Sequence, residues 1–140
     1  MDNLSFEIVP FVSCGKYKLG LSLADAKGLS SGKCFQTQLD NGGVALQYDA
    51  HTLVFSPMKQ LESVVIPDGC NLCLDDTMIF SPSADVLPAL EEKFGAPEKH
   101  RGDLFFRNAG LILSEFEDAG DYGRNISVCS KDYFERVLKI

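Results

Sequence analysis

The residues best suited to chemistry are a close pair of cysteines, Cys70 and Cys73, in the stretch CNLC. Two thiolates at this spacing supply half of a structural zinc site, which needs four thiolate or imidazole ligands around the metal. The other cysteines, Cys14, Cys34 and Cys129, are scattered along the chain. Residues three apart in a strand also point to opposite faces. We therefore predict ordinary thiols, with no metal and no cofactor.

A second candidate is the acidic run SEFEDAGDYGR, which carries Glu115, Glu117, Asp118 and Asp121. A calcium-binding EF-hand loop needs oxygen ligands at fixed positions around a central glycine, and this spacing does not supply them. Paired catalytic carboxylates of the glycosidase type need a cleft, and the chain has no Trp to wall a sugar site. The run is interpreted as a solvated loop or a partner-binding patch, with a catalytic or metal site as the third alternative.

Asp75 and Asp76 lie in the connection LDDT, and Tyr122 follows the acidic run. Short acidic connections are most often turns, whereas Tyr is enriched at the energetic centres of interfaces. The predicted partner-binding surface comprises Asp75, Asp76, Glu115, Glu117, Asp118, Asp121 and Tyr122.

The net charge restricts the partners that such a surface attracts. Twenty Asp and Glu against thirteen Lys and Arg give a formal charge of −7, with a calculated pI near 4.7. Nucleic-acid binding depends on Lys and Arg displacing counterions from phosphate, so direct binding to nucleic acid is not expected. An acidic surface speeds encounter with basic proteins, although acidic charge alone also serves solubility.

The chain contains no run of about 18 apolar residues, and MDNLSFEIVPF has an acid where a signal peptide carries basic residues. We therefore expect a cytoplasmic protein that does not bind membranes. Its five cysteines are an odd number, and reduced thiols are the default in that compartment. With 140 residues, 45% of them hydrophobic, one domain spanning 1–140 is predicted.

The elements that position these residues are mostly strands. Short alternating apolar segments are separated by Gly, Asn, Asp and Pro, a pattern typical of β-strands and tight turns. Ten strands are predicted, at about 6–12, 17–19, 35–39, 44–48, 52–55, 61–66, 71–74, 104–107, 111–116 and 125–128. Helices are predicted near 22–28, over 86–94 and within 130–140. The fold class is α+β, with a mostly antiparallel sheet and two or three short helices.

Pro88 decides where the middle helix begins. Its missing N–H costs little in a first turn but breaks a backbone bond in a helix interior. With Asp85 as the N-cap Pro88 lies in the first turn, so Asp85 is favoured over Ser83. Gly95 is expected to end this helix in a left-handed conformation, and Ser130 to cap the last helix.

Two stretches suggest an internal repeat. Asn41–Leu46 and Asn108–Leu113 share Asn, the second Gly and Leu, and Val64–Ile66 matches Ile126–Val128. The halves would be about 13–74 and 75–129, each a helix packed on a small sheet, and the two would share one core. Opposite the helices, such a sheet has a face that is free for a partner. Independent use of the same turn residues remains the alternative.

The stretch GKYKLGLSLADAKGL followed by NGGVALQYDAHTLVFSPMKQLESVVI contains a strand ending in Leu-Gly, a short Ser-initiated helix and strands that close with a Leu-x-x-Val/Ile-x-Ile segment. It resembles the tandem helix-plus-sheet repeats of β-lactamase-inhibitor-like folds. It also resembles cytoplasmic immunity proteins of contact-dependent or type VI toxin systems. The similarity covers roughly Gly15 to Val128 and implies an inhibitory binding module without defining catalytic residues.

Three hypotheses for function follow. The first is a non-enzymatic immunity protein whose acidic surface docks on a basic bacterial toxin, such as a nuclease. The second is a small-molecule-binding or regulatory α+β module, in which the free sheet face holds a ligand or a second copy. The third is an enzyme that uses Glu115 or Glu117. The oligomeric state stays open.

Overall fold

The computed structural model describes residues 5–30, 33–49, 51–67, 71–74, 77–79, 86–114 and 125–139. These residues form three helices and mostly antiparallel sheet, which confirms the predicted α+β class. The helices are α1 (Leu23–Leu29), α2 (Val86–Phe94) and α3 (Lys131–Leu138). No helix among these residues has the length and apolar character needed to cross a bilayer.

The larger sheet consists of two four-stranded meanders. The first contains β4 (Phe35–Gln38), β5 (Val44–Gln47), β6 (Thr52–Phe55) and β7 (Leu61–Pro67). The second contains β10 (Glu98–His100), β11 (Asp103–Phe106), β12 (Leu111–Ser114) and β13 (Asn125–Cys129). The spatial order is β10-β11-β12-β13-β7-β6-β5-β4, so the meanders meet where β7 and β13 pair antiparallel.

A smaller sheet contains β1 (Ser5–Val9), β2 (Ser13–Cys14), β3 (Tyr17–Lys18), β8 (Asn71–Leu74) and β9 (Thr77–Ile79). Its order is β3-β2-β1-β8-β9, and β1 pairs with β8 in parallel. The sequence pattern missed β2, β9 and β10. Each of these strands has two or three residues, which is too short for alternation to be recognised.

The larger sheet has two differently covered faces. On its inner face, Leu46, Leu53, Val64 and Ile66 are buried in one cluster with residues of α1, α2 and the smaller sheet. On its outer face, three residues of the second meander pack under Phe134 of α3. Those three residues are Phe105, Ile112 and Cys129. Strand side chains alternate between faces, so β11, β12 and β13 each contribute to both layers.

The helix boundaries agree with the predicted caps where the structure describes them. The hydroxyl of Ser22 accepts a hydrogen bond from the Asp25 N–H at 3.1 Å, and Ser130 caps α3 in the same way. Because α2 begins at Val86, Pro88 lies in its first turn, and Gly95 has a φ of +87°. The candidate caps at positions 83 and 85 lie outside the described residues.

The two Asn-x-Gly turns connect different hairpins. The turn after Asn41 joins β4 to β5, whereas the turn after Asn108 joins β11 to β12. Close packing also requires glycine at both turns. A Cβ at Gly43 would lie 2.2 Å from the Phe55 carbonyl oxygen, and one at Gly110 would lie 2.8 Å from the Phe11 ring. These turns are therefore not equivalent in the two meanders, and the duplication stays a prediction.

Candidate functional site

All seven residues of the predicted partner-binding surface lie outside the described residues. They are Asp75, Asp76, Glu115, Glu117, Asp118, Asp121 and Tyr122. Ser114 and Asn125, the described residues that flank the acidic run, pair with each other at the ends of β12 and β13. Position 70 is likewise not described, and Cys73 lies in β8.

Within the described residues, the first candidate site is the outer face of the first meander. We name this surface the outer patch, and it comprises Phe35, Thr37, Gln47, Thr52, Val54 and Val65. All six side chains are partly or fully exposed, and Phe35 is 69% exposed. None of the six carries a charge. The outer patch is therefore an uncharged surface on a strongly acidic protein.

The position of Glu62 departs from the regular sheet ladder. In the β6–β7 pair, Val54 lies opposite Ser63 and Phe55 lies opposite Leu61, so Glu62 is the additional residue of a β-bulge. A bulge turns one side chain away from the regular alternation, and bulges are enriched next to functional sites. Here the bulge directs a carboxylate toward α3.

The carboxylate of Glu62 is buried, with 7% of its side chain exposed. Its Oε1 accepts a hydrogen bond from Arg136 Nη2, and Arg136 Nε donates to Asp132 Oδ2 at 3.0 Å. No described residue donates a hydrogen bond to its second oxygen, Oε2. Burial raises the pKa of Glu62 above its ordinary value, although the positive charge of Arg136 acts in the opposite direction.

A cavity of about 450 Å³ adjoins this ion pair. We name it the Glu62 cavity. Its lining includes apolar residues, Phe11, Leu19, Pro57, Met58 and Leu61, and polar residues, Ser56, Gln60, Glu62, Ser130, Asp132 and Arg136. Met58 is 80% exposed. Small-molecule sites combine apolar walls with a few polar groups in this way.

A third cluster joins α1 to the β5–β6 turn. The hydroxyl of Tyr17, a buried residue, lies 2.6 Å from Ser30 Oγ and 2.9 Å from His51 Nε2. The ring of Tyr48 stacks on His51 at a centroid distance of 4.9 Å. Burial, followed by the nearby charge of Lys16, lowers the pKa of His51. Burial raises the pKa of Tyr17.

This cluster does not assemble a serine nucleophile. The Ser30 hydroxyl contacts Tyr17 and donates to the Ala26 carbonyl, and Nε2 of His51 contacts the Tyr17 hydroxyl. Nucleophilic catalysis of the Ser-His type needs the serine and the histidine in direct hydrogen-bond contact. No local pattern predicts this cluster, because Tyr17 and His51 are 34 residues apart along the chain.

Of the cysteines whose side chains are described, Cys14 and Cys129 are buried and Cys34 is exposed. Burial raises the pKa of Cys129 to about 12, and Ser63 Oγ is 3.8 Å from its sulfur. A thiol held in its neutral form is a poor nucleophile and a poor metal ligand. The described part of the chain contains no group of three or more His, Cys, Asp or Glu positioned to share a metal ion.

Comparison with known proteins identifies no family. No protein-family model, no curated protein and no solved structure matches this chain. The resemblance to inhibitor-like and immunity proteins therefore stays a prediction. The function has to be inferred from the outer patch, the Glu62 cavity and the net charge.

Proposed function

We propose that this chain is a non-enzymatic binding protein that neutralises a cognate bacterial toxin, as immunity proteins do. The outer patch supports this function more strongly than any other described feature. Its six residues lie on four adjacent strands, so the backbone ladder holds them in fixed relative positions. A surface organised in this way is suited to docking a folded partner.

The chemistry of the outer patch is that of an interface centre. The cores of protein interfaces are depleted in charged residues, because a charge that loses its water without finding a partner costs free energy. The outer patch combines Val54, Val65 and Phe35 with hydroxyl and amide side chains, and it carries no charge. Such a surface can lose its water at low cost.

The net charge of −7 favours a basic partner such as a nuclease. A protein of this charge is attracted over long range to the positive surface with which a nuclease binds its substrate. In this proposal the acidic residues of the predicted partner-binding surface speed association with such a partner. In this proposal the chain itself does not bind nucleic acid. It binds and neutralises the toxin in the cytoplasm.

The test uses the protein encoded by the gene directly upstream as the candidate toxin. Growth is measured with and without this chain, and the affinity of the purified pair is measured by biolayer interferometry. We expect growth protection, and we expect Gln47→Lys and Thr52→Lys each to weaken binding at least tenfold. Ala89→Lys is the matched control, because Ala89 is an exposed residue of α2, on the other side of the sheet.

Two results would contradict this function in different ways. If the candidate toxin neither binds nor is neutralised, the proposed function is wrong for that pair. If binding persists and Gln47→Lys and Thr52→Lys behave like Ala89→Lys, the outer patch is not the docking surface. Charge reversal at Glu115 and Asp118 tests the acidic contribution separately, since it should slow association and flatten its dependence on salt.

The Glu62 cavity favours a second candidate function, a small-molecule-binding module. Glu62 and Asp132 bring two carboxylates to the cavity and Arg136 brings one positive charge, so these groups sum to one negative charge. The buried Oε2 of Glu62 lacks a donor among the described residues. The ligand class that matches these groups is an organic cation, with an ammonium group for the carboxylates and a short apolar chain for Leu19 and Leu61.

Nuclear magnetic resonance titration with n-butylammonium tests this candidate, with 1-butanol as the uncharged comparison. We expect amide shifts at Glu62, Asp132 and Arg136 for the cation alone. Glu62→Gln should abolish them, whereas Glu91→Gln, the same change at an exposed position on α2, should preserve them. Equal shifts with 1-butanol, or unchanged shifts in Glu62→Gln, would exclude a cation site.

A further inference from the structure

The two edges of the larger sheet differ in charge. Strand β10 forms one edge with the sequence Glu-Lys-His, and β4 forms the other with Phe-Gln-Thr-Gln. All four residues of β4 are exposed. Among the described strands, β4 pairs on one side only, with β5.

An exposed strand edge is a template for pairing with another chain. Folded proteins usually block such edges with charged side chains, proline or a bulge. Charges occupy β10, while β4 contains no charge and no proline, and its ladder with β5 is regular over all four residue pairs. The edge at β4 therefore retains the backbone groups of a pairing strand without a described device that blocks them.

We propose that β4 pairs antiparallel with β4 of a second copy of this chain. The larger sheets of the two copies then become one continuous sheet across the dimer axis. The uncharged edge suits this contact, because two copies that each carry a charge of −7 repel each other wherever acidic surface meets acidic surface.

The charges at the ends of β4 favour a second copy in this orientation. Lys33 precedes the strand and Asp40 follows it, and both side chains are exposed. An antiparallel pair brings Lys33 of each copy near Asp40 of the other, so opposite charges meet at both ends. A parallel pair would bring like charges together.

The alternation of side chains limits the register. A two-fold axis perpendicular to the sheet keeps the outer faces of both copies on the same side, and directly opposed residues share a face. Every register that places a residue opposite its own copy meets this condition, and two of them keep three of the four β4 residues paired, one with Gln36 opposite Gln36 and one with Thr37 opposite Thr37. In both registers Lys33 comes within one residue of direct opposition to Asp40 of the other copy.

The strength of the dimer follows from the length of the edge. Four residues from each copy bury less than the roughly 1,000 Å² that marks a stable interface. We therefore expect a weak dimer whose population rises with protein concentration. Sedimentation equilibrium over about 10 to 500 μM spans the range in which such a contact is measurable.

Matched lysine substitutions test the contact. Gln36→Lys places two positive charges near the dimer axis and should weaken association at least tenfold. Gln47→Lys makes the same change on β5, one strand away from the edge, and should leave association unchanged. A chain that stays monomeric throughout this concentration range, or two variants that dissociate alike, would overturn the proposal.

Cysteine cross-linking reports the register independently. In a Cys34→Ser background, Gln36→Cys or Thr37→Cys should give a disulfide-linked dimer under mild oxidation, depending on which residue lies on the axis. Gln47→Cys should give none. Cross-linking at position 47 alone, or at none of the three positions, would exclude β4 pairing. The dimer does not depend on the toxin-binding function, because Gln36→Lys and Gln47→Lys separate the two contacts.

Discussion

The two meanders of the larger sheet have the same strand order but different outer faces. One row of paired residues crosses all eight strands: Phe35, Gln47, Thr52, Val65, Ser127, Ile112, Phe105 and Glu98. Outward from the centre, Thr52 thus corresponds to Ile112, and Gln47 corresponds to Phe105. Ile112 and Phe105 are buried under α3, while Gln47 is exposed and Thr52 is partly exposed.

This difference explains why α3 covers only one half of the outer face. The ring of Phe134 packs edge-on against Phe105 at a centroid distance of 5.6 Å, so α3 packs on an apolar surface. At the equivalent positions of the first meander, Gln47 and Thr52 offer polar groups that lose free energy when they are buried without partners. Two pairs of side chains therefore decide which half is core and which half stays open.

The largest effect is expected from Phe105→Ala. This change removes a fully buried ring beneath α3 and should lower the free energy of unfolding by about 3–5 kcal/mol. Gln47→Ala, at the equivalent exposed position, should change it by less than ~0.5 kcal/mol. Urea denaturation of both variants measures the difference, and equal losses would show that the comparison between the meanders is wrong.

Exchanging the polarity of Ile112 and Thr52, the second pair of corresponding residues, should have a smaller effect. Ile112→Thr buries a hydroxyl under α3 and should cost about 1–3 kcal/mol. The reverse change, Thr52→Ile, should leave the free energy of unfolding within ~0.5 kcal/mol, since its side chain stays partly exposed. Denaturant unfolding tests this pair. A clear loss of stability in Thr52→Ile would show that the outer face of the first meander is not open, and it would contradict the comparison.

The edges can be made alike by transplanting the β4 residues onto β10. Glu98→Phe, Lys99→Gln and His100→Thr together remove the charges that block that edge. If β4 pairs with a second copy, a molecule with two such edges should form open-ended assemblies instead of stopping at dimers. Light scattering as a function of protein concentration measures the size of the assemblies. Adding Gln36→Lys to the triple variant blocks the β4 edge and should restore small species.

The smallest effect concerns the two histidines, one in each half. Burial holds the pKa of His51 below its ordinary 6.5, so the unfolded chain binds its proton more readily than the folded chain does. The contribution of His51 to the free energy of unfolding is therefore complete above pH 6.5 and is lost as the pH falls. His51→Gln should therefore reduce the loss of unfolding free energy between about pH 7 and pH 5.

The matched control for this prediction is His100→Gln in the second half. Because the chain has only two histidines, the pair covers this residue type completely. If both variants behave alike in urea denaturation at the two pH values, His51 does not carry the dependence.

Much of the fold was predictable from local pattern. Alternation located β6 and β8 at the predicted bounds and nine of the ten predicted strands within two residues. The caps at Ser22 and Ser130 follow from their side-chain chemistry. The strand predicted over 6–12 ends early, at Val9, and Phe11 then takes a φ of +63°. No local signal predicts that conformation, because only packing holds a phenylalanine there.

The candidate sites were less predictable than the fold. The pattern of charges along the chain indicates acidic residues that lie outside the described residues, whereas the outer patch is uncharged and the Glu62 cavity depends on a bulge. Glu62 and Arg136 are 74 residues apart in sequence. Their contact exists because β7 and β13 are neighbours and α3 follows β13 directly.

The sequence by itself determined the class of structure, the acidic charge and the positions of most turns, because each depends on composition or on residues close together in the chain. Only the tertiary structure decided which sheet face α3 covers, which edge stays uncharged and which carboxylate is buried. Those properties depend on the order in which distant strands pair, and alternation within a strand carries no information about its neighbours.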